Sequence, residues 1–119
     1  MADLFAKAYV DGNIEHAALL QLVAGAVAGD ADGWTVVAET AEIDVLANDD
    51  ARSNRQEDNL DDFVYFPYAL DIEAAATPVP LDDFIKIVSS VMIRLEKEGL
   101  RVVVACDWEE RLPGGGRLG

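Results

Sequence analysis

An α+β domain on the ferredoxin-like βαββαβ plan, a four-stranded antiparallel sheet with two helices on one face, is the fold class this sequence predicts. Three observations carry the expectation. A strongly periodic helix closes at Gly99 and feeds directly into the apolar run Arg101-Val102-Val103-Val104-Ala105. The stretch from Phe63 to Ala74 alternates, with Val64, Phe66, Tyr68, Leu70 and Ile72 on one side. The two halves of the chain each run strand, helix, strand, and Trp34-Thr35-Val36-Val37-Ala38 faintly echoes Arg101 to Ala105.

In order, Leu4 to Val10 reads as the first strand, with Phe5, Lys7 and Tyr9 on the side opposite Leu4, Ala6, Ala8 and Val10. Asn13 has the side chain of a helix cap, and Ile14 to about Ala28 carries an apolar face at 14, 18, 19, 22, 23, 26 and 27. Gly29 is placed to end this helix in the left-handed conformation, and Asp30-Ala31-Asp32-Gly33 reads as a turn. Trp34 to about Ala47 is long for one straight strand, so a bulge or bend is expected near Glu39 to Ala41.

Asn48 to Asp62 holds six acids and two arginines with only Ala51 and Leu60 apolar, and reads as a solvated loop, mobile or functional. Within the strand that follows, Pro67 cannot donate a ladder hydrogen bond. Pro78 and Pro80 stiffen the entry to the second helix, whose buried face is Leu81, Phe84, Ile85, Val88, Met92 and Leu95. Asp82 and Asp83 suit its first turn, Arg94 and Lys97 its last. Residues 1–112 are expected to form one domain and residues 113–119 a flexible tail. The expected order across the sheet is fourth, first, third, second strand.

A chain of 119 residues with 51% apolar side chains can bury a core without disulfides, and one cysteine, Cys106, permits none within the chain. Acids outnumber bases by 23 to 9, for a net charge of −14. Such a chain repels phosphate backbones and anionic lipid, so neither nucleic acid nor membrane is expected as a partner. It attracts cationic surfaces, and the same charge also serves solubility. Met1-Ala2-Asp3-Leu4 lacks the basic start and apolar run of a signal peptide, and a cytoplasmic location is expected.

With two helices on one face, the other sheet face is left open. Phe63, Tyr65, Pro67, Asp71 and Glu73 would lie there, joined by Phe5, Lys7, Tyr9, Val103, Ala105 and Asp107, and in the second strand by Glu42 and Asp44. Aromatics among charges make interface anchors. Sheets that bind RNA also present aromatics, but within a basic surround, and this surround is acidic.

Chemistry is harder to find. His16 stands alone beside Glu15 and reads as a surface residue, with no nucleophile placed near it. Cys106 reads as a buried, inert thiol. The acids at 49, 50, 57, 58, 61 and 62 lack the glycine and the spacing of a calcium loop, and Gly114-Gly115-Gly116 precedes no helix that could cradle a phosphate. No catalytic residue, metal ligand or cofactor is assigned.

Ala105-Cys106-Asp107-Trp108-Glu109-Glu110-Arg111-Leu112-Pro113, with Phe63-Val64-Tyr65-Phe66-Pro67-Tyr68 upstream, resembles a group of small acidic bacterial proteins similar in general look to immunity proteins of toxin systems. The resemblance implies a protein-binding role and carries no functional residue with it. The expectation is therefore a non-enzymatic interaction module of the immunity or inhibitor type. It would bind a basic partner through Phe63, Tyr65, Asp71 and Glu73 and the loop acids Asp58, Asp61 and Asp62. Two alternatives stand beside it. One is a domain that pairs with a second copy through the open face, and the other is a small-molecule enzyme with a pocket on that face.

Overall fold

The computed structural model describes residues 4–47, 66–75 and 79–119. Among them are two helices and seven strands, in a single antiparallel sheet. The strands are β1 (Phe5–Asp11), β2 (Asp30–Asp32), β3 (Thr35–Val37), β4 (Ala41–Ala47), β5 (Tyr68–Ala74), β6 (Arg101–Ala105) and β7 (Arg117–Leu118). The helices are α1 (His16–Val27) and α2 (Leu81–Lys97). Across the sheet the strands run β2-β3-β4-β5-β1-β6-β7.

The expected four-stranded ferredoxin-like sheet is thus overturned by three further strands. Two of them come from the region read as a turn followed by one long strand. Ala38 N–H donates to Ala41 O at 2.9 Å, so the expected bend at 39–41 is a full reversal that separates β3 from β4. Asp30-Ala31-Asp32, read as a turn, pairs with β3 instead. Gly33, at φ 66°, occupies the first central position of the two-residue turn between them, where a hairpin favours glycine. The third addition is β7. Residues 113–119, read as a flexible tail, form a turn over Pro113–Gly116 and then a strand on β6, with Val102 opposite Leu118 and Val103 opposite Arg117.

Both helices lie on one side of the sheet. Ala6, Ala8 and Val10, Val36, Ile43 and Val45, Leu70 and Ile72, and Val102 and Val104 alternate onto that side. They meet Leu19, Leu20, Val23 and Ala24 of α1 and Phe84, Ile85, Val88, Val91, Met92 and Leu95 of α2. Each buried Val, Leu, Ile, Phe or Met side chain among them adds roughly 1.5–3 kcal/mol, which is where the stability of the domain resides. Trp108 and Leu112, beyond β6, join the same core, with Trp108 edge-on to Phe84 at 5.7 Å and 82°.

α1 begins at His16 with Glu15 as its cap residue and no side-chain cap bond, so Asn13 does not cap it. It ends at Ala28, which takes the left-handed conformation (φ 53°, ψ 41°) expected of Gly29. Gly29 is needed for another reason: a Cβ there would sit 2.8 Å from Val37 O and 2.9 Å from Val36 Cγ1. The chain leaves α1 pressed against β3, and only glycine fits. Pro67 immediately precedes β5, which has β4 and β1 on its two sides and no place for a residue without an N–H. No helix among the described residues is long and apolar enough to cross a membrane.

Candidate functional site

The sheet face opposite the helices is organised by register. Residues directly across from one another share a face, so the pairings define rows that cross the strands. One row runs Asp30, Val37, Glu42, Glu73, Phe5. The next runs Asp32, Thr35, Asp44, Asp71, Lys7, Ala105. Six carboxylates therefore stand in two adjacent rows on β2, β4 and β5. Glu42 lies directly opposite Glu73 and Asp44 directly opposite Asp71. Like charges so placed cost the sheet a few tenths of a kcal/mol or more per pair.

Asp30, Asp32, Glu42 and Glu73 are exposed, while Asp44 and Asp71 are half-buried. Thr35 Oγ1 donates to Asp44 Oδ1 at 2.7 Å. Asp71 is less well served. Its Oδ1 is inaccessible to solvent and has no hydrogen-bond partner, and Lys7 Nζ lies 4.0 Å from it, an ion pair too long to be a hydrogen bond. Lys7 Nζ also lies 5.6 Å from the centre of the Tyr9 ring. Apolar groups sit within the first row and at its end: Val37 is 44% and Phe5 41% exposed. A shallow depression of about 450 Å³ beside Phe5 is lined by Leu4, Phe5, Glu73 and Ala74.

The third row, Leu46, Ala69, Tyr9, Val103, Arg117, is different. Ala69 and Val103 are buried there although no described helix covers them. Phe66, expected on the helix side, is fully buried outside the helix-side core, with the Arg101 guanidinium 5.2 Å from its ring centre. The face is therefore not open from end to end, as the alternation had suggested. What it presents to solvent is the acidic part near β2 to β5.

Of the expected contact residues, Asp71 and Glu73 stand side by side in this acidic field. Phe63, Tyr65, Asp58, Asp61 and Asp62 lie outside the described residues, as does the 48–62 loop. Asp30 and Asp32 were missed. They looked like turn residues, and only the pairing of β2 with β3 carries them into the rows. A sequence signal did exist: no lysine or arginine occurs between Lys7 and Arg52.

His16 is not a free surface residue. Its Nε2 donates to Val45 O at 2.7 Å, and Tyr68, 6.4 Å away ring to ring, donates its hydroxyl to Ile14 O at 2.8 Å. Together they pin the start of α1 to β4 and β5. Cys106 is half-buried just beyond β6, and its N–H donates to Glu109 Oε2 at 3.3 Å. Burial pushes its thiol pKa up, the backbone at Trp108 pulls it down, and the Glu109, Asp107 and Glu110 carboxylates add to the rise. Such a thiol is a poor nucleophile at neutral pH. Among the described residues no group of three or more His, Cys, Asp or Glu side chains is arranged to hold a metal ion. Comparison with known protein families, with curated proteins and with solved structures finds no match.

Proposed function

We propose that this protein is a non-enzymatic interaction module, of the immunity or inhibitor kind, that takes a basic protein partner on the two carboxylate rows of the sheet face opposite its two described helices. The observation that supports the reading is the concentration of six carboxylates in two adjacent rows, which costs the sheet most at Asp71. A desolvated carboxylate oxygen without a donor costs about 1–3 kcal/mol, more when charged. The direct cross-strand neighbours of Asp71 are Asp44 and Lys7, and the Lys7 ammonium at 4.0 Å is too far to donate to that oxygen. The exposed members of the rows, Asp30, Asp32, Glu42 and Glu73, can meet an arginine or lysine from a partner, while the exposed Phe5 and Val37 give that partner apolar ground beside the charges. Pairing with a second copy through this face would oppose acid to acid, which favours an unlike, basic partner.

The test uses the full chain and an oligo-arginine peptide, with binding followed by fluorescence anisotropy of the labelled peptide. Affinity should fall about tenfold or more as salt rises from about 50 to about 200 mM, because exposed charges are screened over about a Debye length. A peptide that does not bind at low salt, or binds independently of salt, contradicts the proposal.

A further inference from the structure

The outer edge of the sheet at β2 extends this reading and rests on it. Ala38 N–H donates to Ala41 O and Val45 N–H to Trp34 O at 2.8 Å, so residues 34, 36 and 38 turn their backbone groups toward β4. By alternation Thr35 and Val37 turn theirs toward β2, opposite Asp32 and Asp30. Ala31, opposite Val36, is left with its N–H and C=O directed away from the sheet, and it is exposed. Among the described strands β2 is an edge, with an outward-directed backbone donor and acceptor.

Three features of this edge define what fits it. Asp30 and Asp32 begin the two carboxylate rows, so their side chains stand about 7 Å apart along the strand on the face opposite the described helices. Trp34, at the hairpin turn two residues beyond Asp32, is 62% exposed, the most exposed large apolar side chain among the described residues. No lysine or arginine lies between Asp11 and Asp50, and the charged residues there are acids. A second copy is repelled by these charges and by a net −14 on each chain.

We infer that β2 is the docking edge for an extended, arginine-bearing segment of the partner, which adds to the sheet as a further strand. Its backbone pairs with Ala31. Its basic residues at alternate positions fall beside Asp30 and Asp32, and a flanking guanidinium stacks on the Trp34 indole. The acids that keep like chains off this edge are the groups that select a basic strand for it.

Two peptides of one composition test this, one with arginine at every second position between valine and threonine, the other with its arginines in one block. The alternating peptide should bind the full chain about fivefold or more tighter than the block peptide. Ala31→Pro removes the outward N–H and leaves the bonds from β2 to β3 in place, and it should abolish that preference. Trp34→Leu keeps apolar area without the ring's electrostatic face, and it should weaken the alternating peptide about fivefold. The near-ultraviolet dichroism of buried Trp108 verifies that each variant is folded. If both peptides bind equally and neither variant alters binding, the edge is not the docking site. In that event weaker binding by Glu73→Gln would still uphold the carboxylate face, whereas no binding of either peptide to the wild-type chain overturns both readings.

Discussion

Exchanging Glu42 and Glu73 together for lysine is expected to slow association with a cationic peptide about tenfold or more and to leave the fold's stability nearly unchanged. The two residues are direct cross-strand partners on β4 and β5, and both are exposed. Reversing both replaces one directly opposed like-charge pair by another, and relief from the diagonal Asp44 and Asp71 is the smaller term. The face, however, goes from six carboxylates with Lys7 to four with three lysines. Binding and stability are thereby separated. Glu42→Lys alone is the counterpart: it places a cation opposite Glu73 and should raise stability by about 0.2–1 kcal/mol while weakening binding less. Urea unfolding and stopped-flow association on the same samples measure the two effects. A double variant that binds as fast as the wild-type chain would remove the rows from the account.

Phe84→Ala is expected to cost about 3–5 kcal/mol, a large share of the roughly 5–15 kcal/mol by which a domain is stable. Phe84 is fully buried in the first turns of α2. Its ring does two things at once. It seats α2 on the sheet, and it meets Trp108 edge-on, a geometry that adds about 0.5–1.5 kcal/mol to simple burial. Trp108 in turn belongs to the chain that returns through Leu112 to β7. Removing the ring should therefore flatten the near-ultraviolet signal of Trp108 as well as lower the urea midpoint. A loss of stability with the Trp108 signal intact would mean that the C-terminal segment is held by β7 pairing and not by this contact.

How much of this was readable from sequence follows from where the information sits. α2 was readable because its apolar positions recur at helical spacing, its acids open it and its bases and Gly99 close it. β6 was readable from its apolar run after Gly99 and β1 and β5 from alternation, and that alternation placed Asp71 and Glu73 on the face away from the helices. β2 was not readable. Asp-Ala-Asp-Gly has the composition of a turn, and what makes it a strand is the partner that β3 offers after the chain reverses at Gly33 and Trp34. β7 was hidden for the same reason, behind three glycines that suggested a loose end. Without β2, two of the six carboxylates in the first two rows are invisible, since Asp30 and Asp32 acquire their positions only from pairing. Phe66 shows the limit of periodicity in the other direction. Its even number assigned it to the helix side, but the strand starts only after Pro67, and the residue packs beyond the reach of that rule.

The most direct measurement is a map of contacts by amide chemical shifts, recorded on the isotopically labelled full chain as an arginine-rich peptide is added at low salt. The account predicts that the largest shifts fall on β2, β4 and β5, around Asp30 to Asp32, Glu42 to Asp44 and Asp71 to Glu73, with the helices quiet. Shifts concentrated on α1 and α2, or scattered evenly over every exposed acid, would contradict it.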